Sequence, residues 1–139
     1  MIKFSEEMKE RINNASKNEK LFFWVTASKE GEPDIGYRDG TFVWDDEHLA
    51  FWVRPEQDES GHIDENPNVV MLYMDFSNRV GWRFFGQATL YKAGPIRQQI
   101  MDRVIKDQLD EDPERKGYGV LARVDKILRY SGDEIIQQR

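Results

Sequence analysis

The 139-residue chain contains no cysteine, which excludes disulfide bridges, thiol nucleophiles and cysteine-held metal clusters. Histidine is nearly as scarce, at His48 and His62 alone. Neither stands with carboxylates at a spacing that specifies a metal centre, so both read as solvated loop residues and no metal is expected. No apolar run is long enough to cross a bilayer. The opening MIKFSEEMKE lacks the apolar core of a secretory signal, so a cytoplasmic protein with no membrane partner is expected. Basic charge is also in deficit. Twenty-six acidic against 20 basic residues leave a formal net charge of −6, which argues against a nucleic-acid partner. The chain has no internal repeat and no Gly-rich phosphate loop of the Walker or dinucleotide kind.

Aromatic residues are plentiful: 8 Phe, 5 Tyr and 4 Trp, enough to fill a barrel interior and still line an interface or a planar ligand. The length suits one compact domain over residues 1–139. Ser5 can cap a helix through about Ala15, with Glu6 and Glu7 at its positive end and Met8, Ile12 and Ala15 as a thin apolar stripe. From Leu21 the pattern changes to short apolar strands ended by turns. Leu21–Ser28 is apolar on both alternating faces, as for a strand covered on two sides. A second strand, Asp34–Trp44, is interrupted at Asp39-Gly40, and a third runs from Leu49 to Arg54 before Pro55. Glu56–Asn66 is polar with room for one short helical turn. Val69–Phe76 and Arg79–Tyr91 form a hairpin through Ser77-Asn78. Gly94-Pro95 starts a helix over about 95–109, with Ile96, Ile100, Met101, Val104, Ile105 and Leu109 on one face. Gly117–Tyr130 is the last strand, and Ser131–Arg139 reads as a short helix or a frayed tail. The expectation is a mainly β protein, a six-stranded antiparallel barrel with strands over about 21–92 and 117–130 and peripheral helices.

The order of short words within these strands resembles the pyridoxamine-phosphate-oxidase-like family of FMN-binding split barrels. The words are the Thr26–Pro33 segment with its G-x-P turn, Arg38 before Val43-Trp44-Asp45-Asp46, Leu49–Trp52, Ile63–Pro67 and Gly86–Ala88. Together they span roughly residues 20 to 92. The resemblance implies a homodimer with FMN in clefts at the subunit interface. It puts Arg38 and Arg54 at the FMN phosphate, Gly40 and Thr41 along the ring edge, and Trp52 with Val53 beside the flavin. Ser60 and His62 fall in the loop that borders the phosphate. A phosphate dianion calls for guanidinium forks, and a planar ring for a flat slot with a few polar partners.

The chain departs from the family pattern in that loop. Where the oxidases carry an S-R-K-type grip, this sequence has Gln57-Asp58-Glu59-Ser60-Gly61, and carboxylates repel a phosphate. The departure argues against vitamin B6 oxidation itself. The implied function is a small FMN-dependent oxidoreductase acting on an unidentified small molecule. No nucleophile–base pair stands out, in keeping with chemistry carried by the flavin. Two alternatives remain open: a non-catalytic dimeric split-barrel module, or a relative that binds F420 or haem. Arg38 and Arg54 have a plainer reading as surface cations paired with Asp34, Asp39 or Glu56. Arg83, flanked by rings in Trp82-Arg83-Phe84-Phe85, is expected to stack on an aromatic or cross an interface.

Overall fold

The computed structural model describes residues 1–57 and 60–139, without side-chain detail at residues 57, 60 and 61. Helix α1, Glu6–Asn13, starts at Ser5, whose side chain accepts a hydrogen bond from the Met8 N–H at 3.1 Å. Such a cap is worth about 1 kcal/mol relative to alanine. Its apolar stripe does more than lie on the surface. Met8, Ile12 and Ala15 are buried and join Ile2 and Phe4 in the main core.

Among the described residues, eight strands form one antiparallel sheet. They are β1 Leu21–Ala27, β2 Pro33–Tyr37, β3 Phe42–Asp45, β4 His48–Val53, β5 Asn68–Asp75, β6 Val80–Tyr91, β7 Tyr118–Arg129 and β8 Ile135–Gln138. The order across the sheet is β2-β1-β5-β6-β7-β4-β3, with β8 paired to β7. β2 and β3 follow each other in the chain, separated only by Arg38–Thr41, yet they occupy opposite ends of that order. Only a sheet curled on itself can bring its ends so close, and the barrel is split between them.

The expected count of six strands rises to eight for two reasons. The Asp34–Trp44 stretch divides at Gly40, whose φ of +88° turns the chain from one sheet edge to the other. The tail expected to be helical or frayed is β8, registered against β7 through Lys126↔Gln138 and Ile127↔Gln137. It is also tied to the N-terminus, where the Lys3 N–H donates to Gln137 Oε1 at 2.7 Å and Gln137 Nε2 donates to the Lys3 carbonyl at 2.7 Å. The expected long helix is likewise two: α3, Pro95–Arg103, and α4, Lys106–Asp110, separated by extended backbone at Val104 and Ile105. Between β4 and β5, a 3-10 turn at Pro55–Gln57 is followed by the short helix α2, Ser60–Glu65.

Strand parity sets the core. Phe22, Trp24, Phe51, Tyr73 and Phe84 fill the barrel and are almost fully buried. β4 is the strand buried on both faces: Leu49, Phe51 and Val53 point inward, while Ala50 and Trp52 join Phe42, Ile100 and Val104 beneath α3. β1 is buried on its inner face and half-buried on its outer one. Arg83 binds backbone, donating from Nε to the Arg129 carbonyl at 2.8 Å and from Nη2 to that of Gly132. It thereby fastens the end of β7 to β6, in place of the expected ring stacking.

Candidate functional site

The turn that splits the barrel is built around Arg38–Thr41. The Arg38 N–H donates to the Phe22 carbonyl at 2.8 Å, anchoring the end of β2 to β1. Thr41 is buried, and its Oγ1 donates to the Arg38 carbonyl at 2.8 Å while accepting from Trp24 Nε1 at 3.0 Å. Gly40 is required on two counts. Its φ is left-handed, and a Cβ there would lie 2.7 Å from Cγ of Gln108 on α4.

Arg38 is only 7% exposed. Its guanidinium carbon lies 5.4 Å from the Phe51 ring centroid, and a Cβ on Gly36 would approach that carbon to 2.7 Å. The bare backbone of Gly36 therefore leaves the space that the guanidinium fills. Burial is the main cause that pulls the Arg38 pKa below its ordinary value; Asp34 opposes the shift and the like charge of Arg54 adds to it. The guanidinium nonetheless keeps its proton near neutral pH, because an arginine starts so far above it. Arg38 thus carries a buried positive charge at the turn that splits the barrel.

Arg54 ends β4, where Pro55 stops the strand. Its Nη1 lies 3.2 Å from Glu56 Oε1 and 3.7 Å from Glu111 Oε2. It lines a cleft of about 280 Å³ together with Tyr37, Asp39, Asp107, Gln108 and Glu111. Burial, reinforced by Asp39, raises the pKa of the Tyr37 hydroxyl.

Of the residues singled out in the sequence, Arg38, Gly40 and Thr41 share the turn at the barrel split, and Arg54 lines the cleft whose wall includes Gln108, the residue packed against Gly40. Val53 is buried in the barrel core. The Trp52 ring points away from the barrel, donates from Nε1 to Asp112 Oδ2 at 3.0 Å and lies under Arg97 at 5.0 Å. Only its backbone is left to face a ligand. His62 is half-buried, with Nδ1 at 3.3 Å from Oγ1 of the buried Thr26, rather than solvated. Asp58 and Glu59 lie outside the described residues, and so does the side chain of Ser60. Asp107, Gln108 and Glu111 escaped the sequence reading. They reach the cleft only because the chain breaks at Val104 and Ile105 and starts a new helix against Gly40.

Asp112 fixes the far side of this helix. It is 4% exposed and accepts from Trp52 Nε1, from the Lys116 N–H at 2.9 Å and from the Gly117 N–H at 2.8 Å. Burial alone would push its carboxyl up, but these donors together hold it below the ordinary value. Gly117 admits no side chain, since a Cβ would sit 2.1 Å from the Val53 carbonyl oxygen.

A sequence profile described as pyridoxamine 5'-phosphate oxidase matches residues 4–125. The chain belongs to that family. No curated protein matches it. Among solved structures, HupZ of Group A Streptococcus superposes with a TM-score of 0.75 at 20% identity, covering 96% of this chain and 99% of its own. An FMN-binding protein from Syntrophomonas wolfei gives 0.67 at 15% identity, covering 92% and 89%. An F420 reductase gives 0.63 at 15% identity, covering 90% and 98%. At such identities these likenesses speak for the split-barrel fold of the pyridoxamine 5'-phosphate oxidase family.

Proposed function

We propose that the protein binds FMN and acts, as a homodimer, as a small oxidoreductase on an unidentified substrate. The observation that carries this reading is the turn at the barrel split, where the buried Arg38 leads into Gly40, which packs on Gln108 in the wall of the cleft that Arg54 lines. Two guanidiniums held there suit the phosphate of FMN, each contributing charge-assisted hydrogen bonds. β2 offers a complementary surface for a planar ring. It ends the order of the sheet beside Arg38, so one edge of its backbone is available for hydrogen bonding, and Ile35 and Tyr37 are 62% and 47% exposed. Gly40 and Thr41 set the path of the turn between these two parts. The flavin, when bound, supplies the hydride or electron transfer, and the chain's own residues bind, orient and shield it. Membership of the pyridoxamine 5'-phosphate oxidase family supports the flavin, while Gln57-Asp58-Glu59 in place of the S-R-K-type grip speaks against vitamin B6 oxidation as such.

The test is a titration of the purified protein with FMN and riboflavin, followed by absorbance and by co-elution in gel filtration. Arg54→Ala, and Arg38→Met to keep the packing volume over Gly36, should each weaken FMN by roughly 10- to 150-fold while sparing riboflavin. Equal weakening of both ligands would mean that the phosphate lies elsewhere. A protein that ignores FMN but takes up F420 or haem, or stays colourless with all three, would point instead to another cofactor or to a non-catalytic module.

A further inference from the structure

The two carboxylates on Arg54 differ in origin. Glu56, at 3.2 Å, follows it by two residues and lies in the adjoining turn. Glu111 reaches Arg54 from across the cleft, at the C-terminal cap of α4. Its backbone is gripped on both sides. Gln108, 8% exposed, packs over Gly40, and Asp112, 4% exposed, is bonded to Trp52 and to the Lys116 and Gly117 N–H groups. The Glu111 side chain is itself 65% exposed, so it can leave Arg54 without disturbing the packing beneath it.

We infer that Glu111 is a specificity-determining residue, an internal anion that any ligand phosphate must displace from Arg54. This rests on the reading of Arg54 as a phosphate ligand. A phosphomonoester, carrying close to two negative charges at neutral pH, competes well with a single carboxylate for a guanidinium. The same two charges are repelled by Asp39 and Asp107 in the cleft, which offsets part of that gain. The site therefore favours a flavin phosphate over riboflavin by less than Arg54 alone would give. Glu111 sets the margin.

The experiment titrates FMN and riboflavin into the unmodified protein, Glu111→Gln, Asp107→Asn, Arg54→Ala and the Glu111→Gln, Arg54→Ala double variant. An exposed ion pair of this kind is worth at most about 1 kcal/mol, so Glu111→Gln should tighten FMN by roughly two- to fivefold and leave riboflavin unchanged. The gain should vanish in the double variant, because without Arg54 there is nothing for Glu111 to occupy. Asp107→Asn should give a smaller gain that fades at high salt. Equal gains from Glu111→Gln and Asp107→Asn would overturn the inference, since the general field of the cleft would then account for both. If Arg54→Ala weakens FMN but Glu111→Gln changes nothing, the inference falls while the phosphate reading stands. If Arg54→Ala does not discriminate FMN from riboflavin, both fall.

Discussion

Asp75 shows how one side chain can carry a junction. Its side chain is 1% exposed at the end of β5 and lies 3.1 Å from Arg11 Nη1, 3.2 Å from Lys20 Nζ and 2.8 Å from Asn78 Nδ2. It thus ties α1, the approach to β1 and the β5–β6 turn together. The Asn78 side-chain amide does most to lower its pKa to about 2; the Asn78 N–H and Lys20 assist, and burial opposes them. A depressed carboxyl stabilises the fold fully above its unfolded value, near 3.8, and that contribution is lost as pH falls through about 2. Asp75→Asn should therefore lower stability by an amount that is constant near neutral pH. The gap to the unmodified protein should close between about pH 4 and pH 2 in denaturant titrations. A gap that stays open in acid would show that hydrogen-bond geometry, rather than charge, is what Asp75 supplies.

At the scale of elements, β8 is the least expected part of the fold and the easiest to remove. It pairs with β7 opposite Ile127, a residue with no exposed surface, and meets the N-terminal segment through Gln137 and Lys3. Arg139 adds contacts to Asp125 at 3.0 Å and to Glu47 at 3.3 Å. Its side chains are mostly exposed, so its value lies in covering the β7 edge and completing backbone hydrogen bonds. Each such bond is worth about 0.5–1.5 kcal/mol net. Ending the chain at Gly132 should lower unfolding stability by about 2–4 kcal/mol in urea melts and leave Arg38 and Arg54 in place. A loss below about 0.5 kcal/mol would mean that β8 merely rests on the barrel.

On the scale of the whole molecule, the outer wall of the sheet is too apolar for its exposure. Register puts Tyr37, Phe23 and Leu72 side by side in one row, and Ile35, Val25, Val70 and Phe85 in the next. Residues opposite one another on neighbouring strands share a face, so these rows form one continuous surface. A groove of about 720 Å³ runs along it past Val25, Val70 and Phe85 to Lys126 and Arg139. In the proposed homodimer, a second copy would cover this half-exposed apolar wall by two-fold symmetry. Light scattering at micromolar concentration should give twice the 16.4 kDa chain mass, and Ile35→Asp with Val25→Glu should halve it. A monomer before any substitution would refute the homodimer.

Much of this was legible in the residues alone. The Ser5 cap, the 77–78 hairpin, the Gly94-Pro95 helix start and the parity of Val120, Ala122 and Val124 are local signals, written in dihedral preference and in alternation across a strand. Gly40 also showed as a break within a strand. That Gly40 sends β2 and β3 to opposite ends of the sheet depends on closure of the barrel. No pattern inside ten residues encodes such closure. The same holds for β8, whose two isoleucines and two glutamines only find their role once β7 and Lys3 are beside them. Glu111 is the clearest case. In the sequence it is one acid in a charged run, 57 positions from Arg54, and only α4 folding over Gly40 sets them 3.7 Å apart. Local propensity and burial parity act over a few residues and can be read from the chain, whereas charge pairing acts through space and waits for the tertiary structure.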